Sequence, residues 1–186
     1  SVTSTIGIKL EEARAHLAAL RPQDRLGWAY DKFGQEFVLT TSFGIQSAVL
    51  LHMLHLIKGG DLVPVIWVDT GYLPPETYCY AKQLTQIMKL DLRVIQSDMS
   101  PARMEALHGR LWETKSVKDL EKYHLIRKVQ PLEKSLKALN VRCWASGVRG
   151  NQTDHRKSMK CIDEVRGRLS LRPLLEWNQK DIFYYM

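Results

Sequence analysis

The apolar residues after position 36 follow a repeating pattern of a short apolar run, a polar turn and a longer stretch with helical spacing. The unit recurs about every 30 residues, as in strand–helix–strand units. The early runs Phe37–Thr41 and Leu62–Val68 lack the polar alternation of a half-exposed strand, which is typical of strands buried in a parallel sheet, and Leu92–Ile95 is predicted as a third strand. Val141–Ser146 and Leu169–Leu175 are predicted as two further strands. The pattern predicts a single α/β domain built on a doubly wound parallel sheet.

Helical spacing is found between and before these runs. The N-terminal stretches Lys9–Leu20 and Arg25–Phe33 predict a helical segment over residues 1–35, which we interpret as packing or oligomer surface in front of an α/β core at 36–186. Within that core the predicted helices are Ile45 to about Ile57, Pro75 to about Met88, Pro101–His108, Pro131–Leu139, and one that begins near Gln179 with Asn178 as its N-cap.

Three turns follow the first three predicted strands: Thr40–Ser47, Asp69–Tyr72 and Gln96–Asp98. Because ligands of such sheets bind at the carboxyl ends of the strands, where the strand order reverses, we expect the three turns to lie along one edge. The first turn is rich in hydroxyl groups and leads into a helix N-terminus, which favours phosphate or sulfate binding. An ordinary turn with a Ser or Thr N-cap is the alternative.

Charge and cysteine content narrow the function. The formal net charge of +7 favours an anionic partner, either nucleic acid or a small polyanion. The basic stretch Arg149–Lys160 has no Phe, Trp or Tyr, unlike single-strand binding surfaces that interleave aromatic and basic residues, so a nucleic-acid-binding module is the less favoured alternative. No apolar run approaches the roughly 20 residues of a membrane span. Three separated cysteines indicate neither a disulfide scaffold nor a four-thiolate site and favour a reducing compartment.

An ordered set of motifs resembles the sulfonucleotide reductases, in particular the phosphoadenylyl-sulfate reductase branch without an iron–sulfur cluster. The motifs keep the family's order and spacing from about Phe37 to the end of the sequence: Thr41-Ser42-Phe43-Gly44-Ile45-Gln46, Val68-Asp69-Thr70-Gly71-Tyr72-Leu73, Gly109-Arg110-Leu111-Trp112, Arg127-Lys128-Val129-Gln130-Pro131-Leu132, Trp144-Ala145-Ser146-Gly147-Val148-Arg149 and Arg172-Pro173-Leu174.

The resemblance implies the adenine-nucleotide α-hydrolase-like (Rossmann-like) fold. ATP-cleaving members of that fold carry Ser-Gly-Gly-x-Asp-Ser, and here Phe43 and Gln46 replace the first glycine and the aspartate. The loss of the acidic residue favours reduction at sulfur over adenylation. An ATP-pyrophosphatase-type adenylating or tRNA-modifying enzyme on the same fold is the alternative.

The resemblance also implies the activity. We expect thioredoxin-dependent reduction of an adenylated sulfate to sulfite and adenosine phosphate in sulfate assimilation, through a cysteine S-sulfonate. Thioredoxin or glutaredoxin is the expected external reductant and a homodimer the expected assembly, with no nucleic acid or membrane partner. The expected location is the cytoplasm, or the plastid stroma if a transit peptide has been removed.

No iron–sulfur cluster or other metal is expected. Tyr123-His124 stand where cluster-bearing members have a cysteine pair, and three cysteines cannot supply four thiolates. Within the family, absence of the cluster favours phosphoadenylyl sulfate as substrate, with adenylyl sulfate as the alternative.

The family's nucleophilic cysteine lies in a C-terminal Glu-Cys-Gly-Leu-His segment, which does not occur before Met186, so we expect the nucleophile to lie outside the given sequence. Cys161 is the best substitute, because basic neighbours such as Lys160 could lower its pKa, but we interpret it as incidental. Cys79 and Cys143 are predicted to be packing residues.

The substrate-binding residues are expected in three groups. The first turn should hold the ligand by backbone and hydroxyl donors, the second should lie near the adenosine, and basic residues should face the phosphate and sulfate. The candidates are Thr40, Thr41, Ser42, Phe43, Gly44, Gln46, Ser47, Asp69, Thr70, Gly71, Arg127, Lys128, Gly147, Arg149, Arg156 and Lys157.

Overall fold

The computed structural model describes residues 6–150 and 158–186. Within these residues a six-stranded sheet has the order β3-β2-β1-β4-β6-β5, in which β5 is antiparallel to β6 and the other neighbours are parallel. The strands are β1 Phe37–Thr41, β2 Val65–Val68, β3 Leu92–Ile95, β4 Cys143–Ala145, β5 Ile162–Val165 and β6 Arg168–Leu171.

Helices pack around this sheet and connect its parallel strands. Those in the described residues are α1 Leu10–Ala18, α2 Pro22–Phe33, α3 Ile45–Leu56, α4 Pro75–Met88, α5 Pro101–His108, α6 Val117–His124, α7 Gln130–Ala138 and α8 Gln179–Tyr185. A π-helical turn, Leu125–Val129, joins α6 to α7, and short 3₁₀ turns occupy Gly34–Glu36 and Gly60–Leu62.

Local sequence signals explain most of the helix starts. Proline stands in the first turn of α2, α4, α5 and α7, where its missing N–H would have no intrahelical partner. The side chains of Ser100 and Ser116 cap α5 and α6. Asn178 caps α8 in a reciprocal capping box with Asp181, which confirms the predicted N-cap.

The sequence-based predictions for β1, β3 and α5 are confirmed to the residue. The predicted strand at Leu62 begins only at Val65, because Gly60–Leu62 forms a 3₁₀ turn. The predicted strand Leu169–Leu175 ends at Leu171, and the antiparallel β5 was not predicted. Helix α6 was not predicted either, because its few apolar residues are diluted by charged ones.

The doubly wound topology is confirmed and defines a switch point. The chain moves outward from β1 to β2 and β3, then returns to the other side of β1 as β4. Leu39 in β1 therefore pairs with Val65 on one side and with Ala145 on the other. In sheets of this kind, ligands bind at such a switch point, outside the carboxyl ends of the strands.

The N-terminal helices share the main core with the sheet. Leu17 and Leu26 are fully buried in the same cluster as the β1 residues. Buried Arg25 strengthens this contact, since its guanidinium donates to the carbonyl oxygen of Pro173 at 3.0 Å and to the carboxylate of Glu176 at 2.6 Å. The helical segment before residue 36 is thus tied to the C-terminal part of the described chain, while its role as an oligomer surface stays a prediction.

Candidate functional site

A cavity of about 420 Å³ opens at the carboxyl ends of β1, β2 and β4, beside the switch point. It joins the turns after these strands to α7 and to the turn between β5 and β6. Its described lining consists of Thr40, Thr41, Ser42, Gln46, Ser47, Ile66, Trp67, Val68, Thr70, Leu73, Lys128, Val129, Leu132, Ser146, Gly147, Val148 and Arg166.

The turn after β1 is held by its own hydroxyl groups. Thr41 Oγ1 accepts the N–H of Phe43 at 3.0 Å, and Ser47 Oγ accepts the N–H of Ser42 at 3.4 Å. Gly44 is the N-cap residue of α3 and provides no side-chain cap. Because the first N–H groups of a helix have no intrahelical partner, this helix start offers donors to an anion in the cavity.

Phe43 was predicted as a binding residue, but its side chain packs in the core beneath the turn after β1. Its backbone is left-handed, with φ of 58°, and its buried ring packs edge-on against Trp67 with ring centroids 5.0 Å apart. The side chain therefore points into the core and is not among the cavity-lining residues.

Asp69 and Gly71 shape the turn after β2 from inside. The Asp69 carboxylate accepts the Gly71 N–H at 2.9 Å, the Tyr78 hydroxyl at 2.6 Å and the Gln96 amide at 3.1 Å. Burial alone would raise the pKa of Asp69, but these hydrogen bonds and the nearby charge of Arg127 outweigh it and hold that pKa below its ordinary value. The bond to Gln96 confirms that the turns after β2 and β3 meet.

The adjacent cations Arg127 and Lys128 face different ways. Arg127 is buried, with Nε donating to the Thr70 carbonyl at 3.0 Å and a terminal nitrogen donating to the Met99 carbonyl at 2.6 Å. Lys128 is exposed and lines the cavity. Both lie on the π-helical turn, a feature that is frequent at functional sites.

The turn after β4 closes the other side of the cavity. Gly147 approaches the start of α3 so closely that an added Cβ would lie 3.4 Å from Gln46 and 3.5 Å from the Ser47 nitrogen. Arg149 follows, half-buried, and its Nε is buried without a hydrogen-bond partner among the described residues. A buried donor of this kind is costly until an acceptor arrives.

Eight predicted binding residues are thus brought together in the cavity: Thr40, Thr41, Ser42, Gln46, Ser47, Thr70, Lys128 and Gly147. Arg156 and Lys157 lie outside the described residues. Nine further lining residues were not predicted as binding residues: Ile66, Trp67, Val68, Leu73, Val129, Leu132, Ser146, Val148 and Arg166. For Arg166 a signal existed, because Arg166-Gly167 separates two short runs with strand character, as in a hairpin.

None of the three cysteines is among the described cavity-lining residues. Burial raises the pKa of Cys161 to about 11 and outweighs the opposing charges of Arg25 and Arg172, so Cys161 does not have the lowered pKa of an activated thiol. Cys143 is fully buried on β4, and burial raises its pKa too, in agreement with a packing role. Cys79 is exposed on α4, so its predicted packing role is wrong.

The lining of the cavity is positively charged, because its charged residues in the described chain are Lys128 and Arg166. No group of three or more His, Cys, Asp or Glu side chains in residues 6–150 and 158–186 is arranged to hold a metal ion. In the same residues, no helix has the length and apolar character that crossing a bilayer requires.

A mostly parallel six-stranded sheet with helices around it and this strand order defines the adenine-nucleotide α-hydrolase-like fold. Solved structures agree: FMN adenylyltransferase from Candida glabrata in complex with ATP is similar in fold, with a TM-score of 0.61 and 14% identity over 97% of this chain and 58% of that one. Phosphoadenylyl-sulfate (PAPS) reductase from Candida auris, in a phosphate complex, has a TM-score of 0.78 and 27% identity over 94% of this chain and 82% of that one.

Sequence comparison identifies the family. The model of the phosphoadenosine phosphosulfate reductase domain matches residues 36–186. Phosphoadenosine 5'-phosphosulfate reductase from a Synechococcus strain is 49% identical over 177 residues, which are 95% of this chain and 75% of that protein. The enzyme of the same name from a Synechocystis strain is 45% identical over 98% of this chain and 70% of its own length. The chain belongs to the phosphoadenosine phosphosulfate reductase family, oxidoreductases that act on the sulfur of a sulfonucleotide.

Proposed function

We propose that the chain binds an adenylated sulfate in the switch-point cavity and presents its sulfur for thioredoxin-dependent reduction to sulfite. The observation that carries this proposal is the cavity's chemistry: hydroxyl groups and a helix start at one end, cationic side chains at its wall, and no carboxylate among its described lining residues. Such a lining matches a polyanion that needs no bridging metal. Gln46 in the lining, where ATP-cleaving relatives carry an acid, supports the same choice.

The parts of the ligand divide between two surfaces. The phosphosulfate belongs at the turn after β1, near Lys128 and near the Nε of Arg149, which has no hydrogen-bond partner within residues 6–150 and 158–186. The adenosine belongs against the apolar part of the lining, formed by Leu73, Val129, Leu132 and Val148. A mostly apolar pocket with a few polar groups is the usual form of a small-molecule site.

The remaining predicted binding residues act indirectly in this proposal. Asp69, Gly71 and Arg127 hold the turn that carries Thr70, and Phe43 and Gly44 shape the turn after β1. Arg156 and Lys157 stay as candidate phosphate contacts that follow Arg149 in the chain.

The chemistry is a displacement at sulfur. A cysteine thiolate attacks the sulfate sulfur, the bond from that sulfur to the bridging phosphate oxygen breaks, and adenosine phosphate leaves with the bonding electrons. The enzyme then carries a cysteine S-sulfonate. Thioredoxin or glutaredoxin supplies two thiols, which release sulfite and end as a disulfide, so that sulfur gains the two electrons that the thiols lose. Lys128 stabilises the negative charge that develops on the phosphate oxygens.

The nucleophilic cysteine lies outside the given sequence in this proposal. The burial of Cys143 and Cys161 and the absence of Cys79 from the cavity lining support that view. The three cysteines are free thiols, which supports a reducing location, cytoplasmic or plastid stroma.

We also propose that the enzyme has no iron–sulfur cluster and that it forms a homodimer. The large apolar side chains that the described residues expose do not lie on α1 or α2, so the dimer surface should be sought elsewhere, for example at Ile87 and Val94.

The test is calorimetric titration of the chain with adenosine 3',5'-bisphosphate and with ATP, each with and without Mg²⁺. We expect the bisphosphate to bind without the metal. Tighter, Mg²⁺-dependent binding of ATP with no binding of the bisphosphate contradicts the proposal and favours an ATP-cleaving enzyme. A separate assay with thioredoxin tests the nucleophile: rapid sulfite release by the 186-residue chain would show that a resident cysteine reacts.

A further inference from the structure

The β5–β6 turn places an arginine where the backbone does not favour one. Val165 pairs with Arg168, and the two residues between them, Arg166 and Gly167, have φ of 49° and 79°. Two-residue hairpin turns with positive φ at both positions prefer Asn-Gly or Gly-Gly. A side chain with a Cβ pays conformational energy at such a position. The turn conformation therefore gives no reason for an arginine at position 166, and the contacts of its side chain are the remaining explanation.

The Arg166 side chain lines the cavity and is held in place by α7. Its Nε donates to Glu133 Oε1 at 2.6 Å, while the other oxygen of Glu133 accepts from Arg168 at 2.8 Å. One carboxylate thus faces two guanidinium groups, and the local charge stays positive. Because the bond to Glu133 uses Nε, the terminal nitrogens of Arg166 remain available to a ligand as far as the described residues show. The side chain keeps 45% of its surface exposed, so an anion can reach it.

The backbone of Arg166 lies at the amino end of β6, and its side chain reaches from there to Glu133 in the first turn of α7. Leu169, just after the start of β6, pairs with Cys143, which pairs with Phe37 at the amino end of β1. The turn at Ser42 follows Thr41, four residues further along β1, or about 13 Å at the rise of a strand. The apolar residues Ile66 and Leu132 also line the cavity. The Arg166 guanidinium is therefore a cationic group of the cavity that comes from a different chain segment than the turn after β1.

We propose that Arg166 binds the 3'-phosphate of the nucleotide, and that it thereby selects phosphoadenylyl sulfate over adenylyl sulfate. The proposal rests on the function proposed above, in which the phosphosulfate occupies the turn after β1 and the adenosine contacts the apolar lining. The 3'-phosphate is a second anionic group on the same ribose and needs a second cation, and Arg166 is the charged lining residue besides Lys128 in the described chain. Glu133 is a positioning residue, which fixes the guanidinium through Nε.

The test compares adenosine 3',5'-bisphosphate with adenosine 5'-monophosphate in calorimetric titrations. Arg166→Asn is the informative variant, because Asn-Gly suits this turn and the fold is preserved while the guanidinium is removed. We expect the bisphosphate to bind about 10- to 100-fold more weakly, the scale of a lost charge-assisted hydrogen bond, and the monophosphate to bind within about twofold of wild type. Arg166→Lys should retain part of the preference, since it keeps the charge but not the fork of donors.

Arg168→Gln is the matched control. It removes the other partner of Glu133 but leaves Arg166 in place, and Arg168 is not among the described lining residues. We expect wild-type preference for the bisphosphate in this variant, and thermal unfolding should show all variants folded. An unchanged ratio of affinities in Arg166→Asn, or an equal loss in Arg168→Gln, overturns the proposal while leaving the nucleotide site intact. Failure of the unmutated chain to bind either nucleotide overturns the proposed function itself.

Discussion

The Nε atom of Arg127 lies 3.0 Å from the carbonyl oxygen of Thr70, and this hydrogen bond joins the π-helical turn before α7 to the loop after β2. The same guanidinium reaches the Met99 carbonyl and lies over the ring of Tyr72. Lys128, the next residue, lines the cavity instead. Two adjacent cations thus have separable roles, one in the fold and one at the ligand.

Arg127→Met should destabilise the protein by about 2–4 kcal/mol, because it leaves two carbonyl oxygens at a buried site without their charged donor. Urea unfolding followed by circular dichroism measures this change. A variant of wild-type stability with abolished nucleotide binding would instead place Arg127 at the ligand.

Lys128→Ala should weaken binding of adenosine 3',5'-bisphosphate by about 1.5–3 kcal/mol, the scale of a charge-assisted hydrogen bond. Its stability should stay within about 0.5 kcal/mol of wild type, since the side chain is exposed. Calorimetry and urea unfolding of the same preparation give both numbers. Unchanged affinity would remove Lys128 from the site.

Asp69→Asn should lower stability at pH 7 by about 1–3 kcal/mol, because an amide cannot accept all three of the hydrogen bonds that the carboxylate accepts. The folded-state pKa of Asp69 lies below its ordinary value, so the folded state favours the ionised form. The wild-type advantage is therefore fully present above the unfolded-state pKa of about 3.9 and is lost as the pH falls through the lower folded-state value.

Urea unfolding of both proteins between pH 7 and the acid limit of the fold measures this dependence. Asp98→Asn is the control, because its ion pair with Lys134 is exposed, with 83% of the Asp98 side-chain surface accessible. We expect that variant to stay within about 0.5 kcal/mol of wild type throughout. A stability difference for Asp69→Asn that does not shrink in acid would mean that the carboxylate charge is not what the turn requires.

Cys79 should be the thiol that reacts in the folded protein. It is exposed on α4, whereas Cys143 and Cys161 are buried and burial raises the pKa of Cys161 to about 11. Titration with a chromogenic disulfide should release about one equivalent under native conditions and about three in denaturant. Cys79→Ser should abolish the native reaction. Rapid reaction of that variant would show that Cys161 is accessible after all.

Local patterns were sufficient for several elements of the fold. The buried run at Phe37–Thr41, the edge strand at Leu92–Ile95 and the proline-led helix at Pro101–His108 were predicted to the residue, since each stands out from its neighbours by apolar content or capping. The hairpin of β5 and β6 was missed, because its strands are short and gain their stability from pairing with each other and with β4.

The sequence by itself determined the class of fold, the family and the turn from Thr40 to Ser47, because these depend on residue type and on order along the chain. Only the tertiary structure decided which side chains face the cavity. Arg127 and Lys128 are indistinguishable as charges in a sequence, but the π-helical turn buries one and exposes the other. The Arg166-Gly167 pair indicates a turn in the sequence, but the place of the Arg166 side chain in the cavity depends on strand pairing and on its bond to Glu133, which are contacts between distant segments.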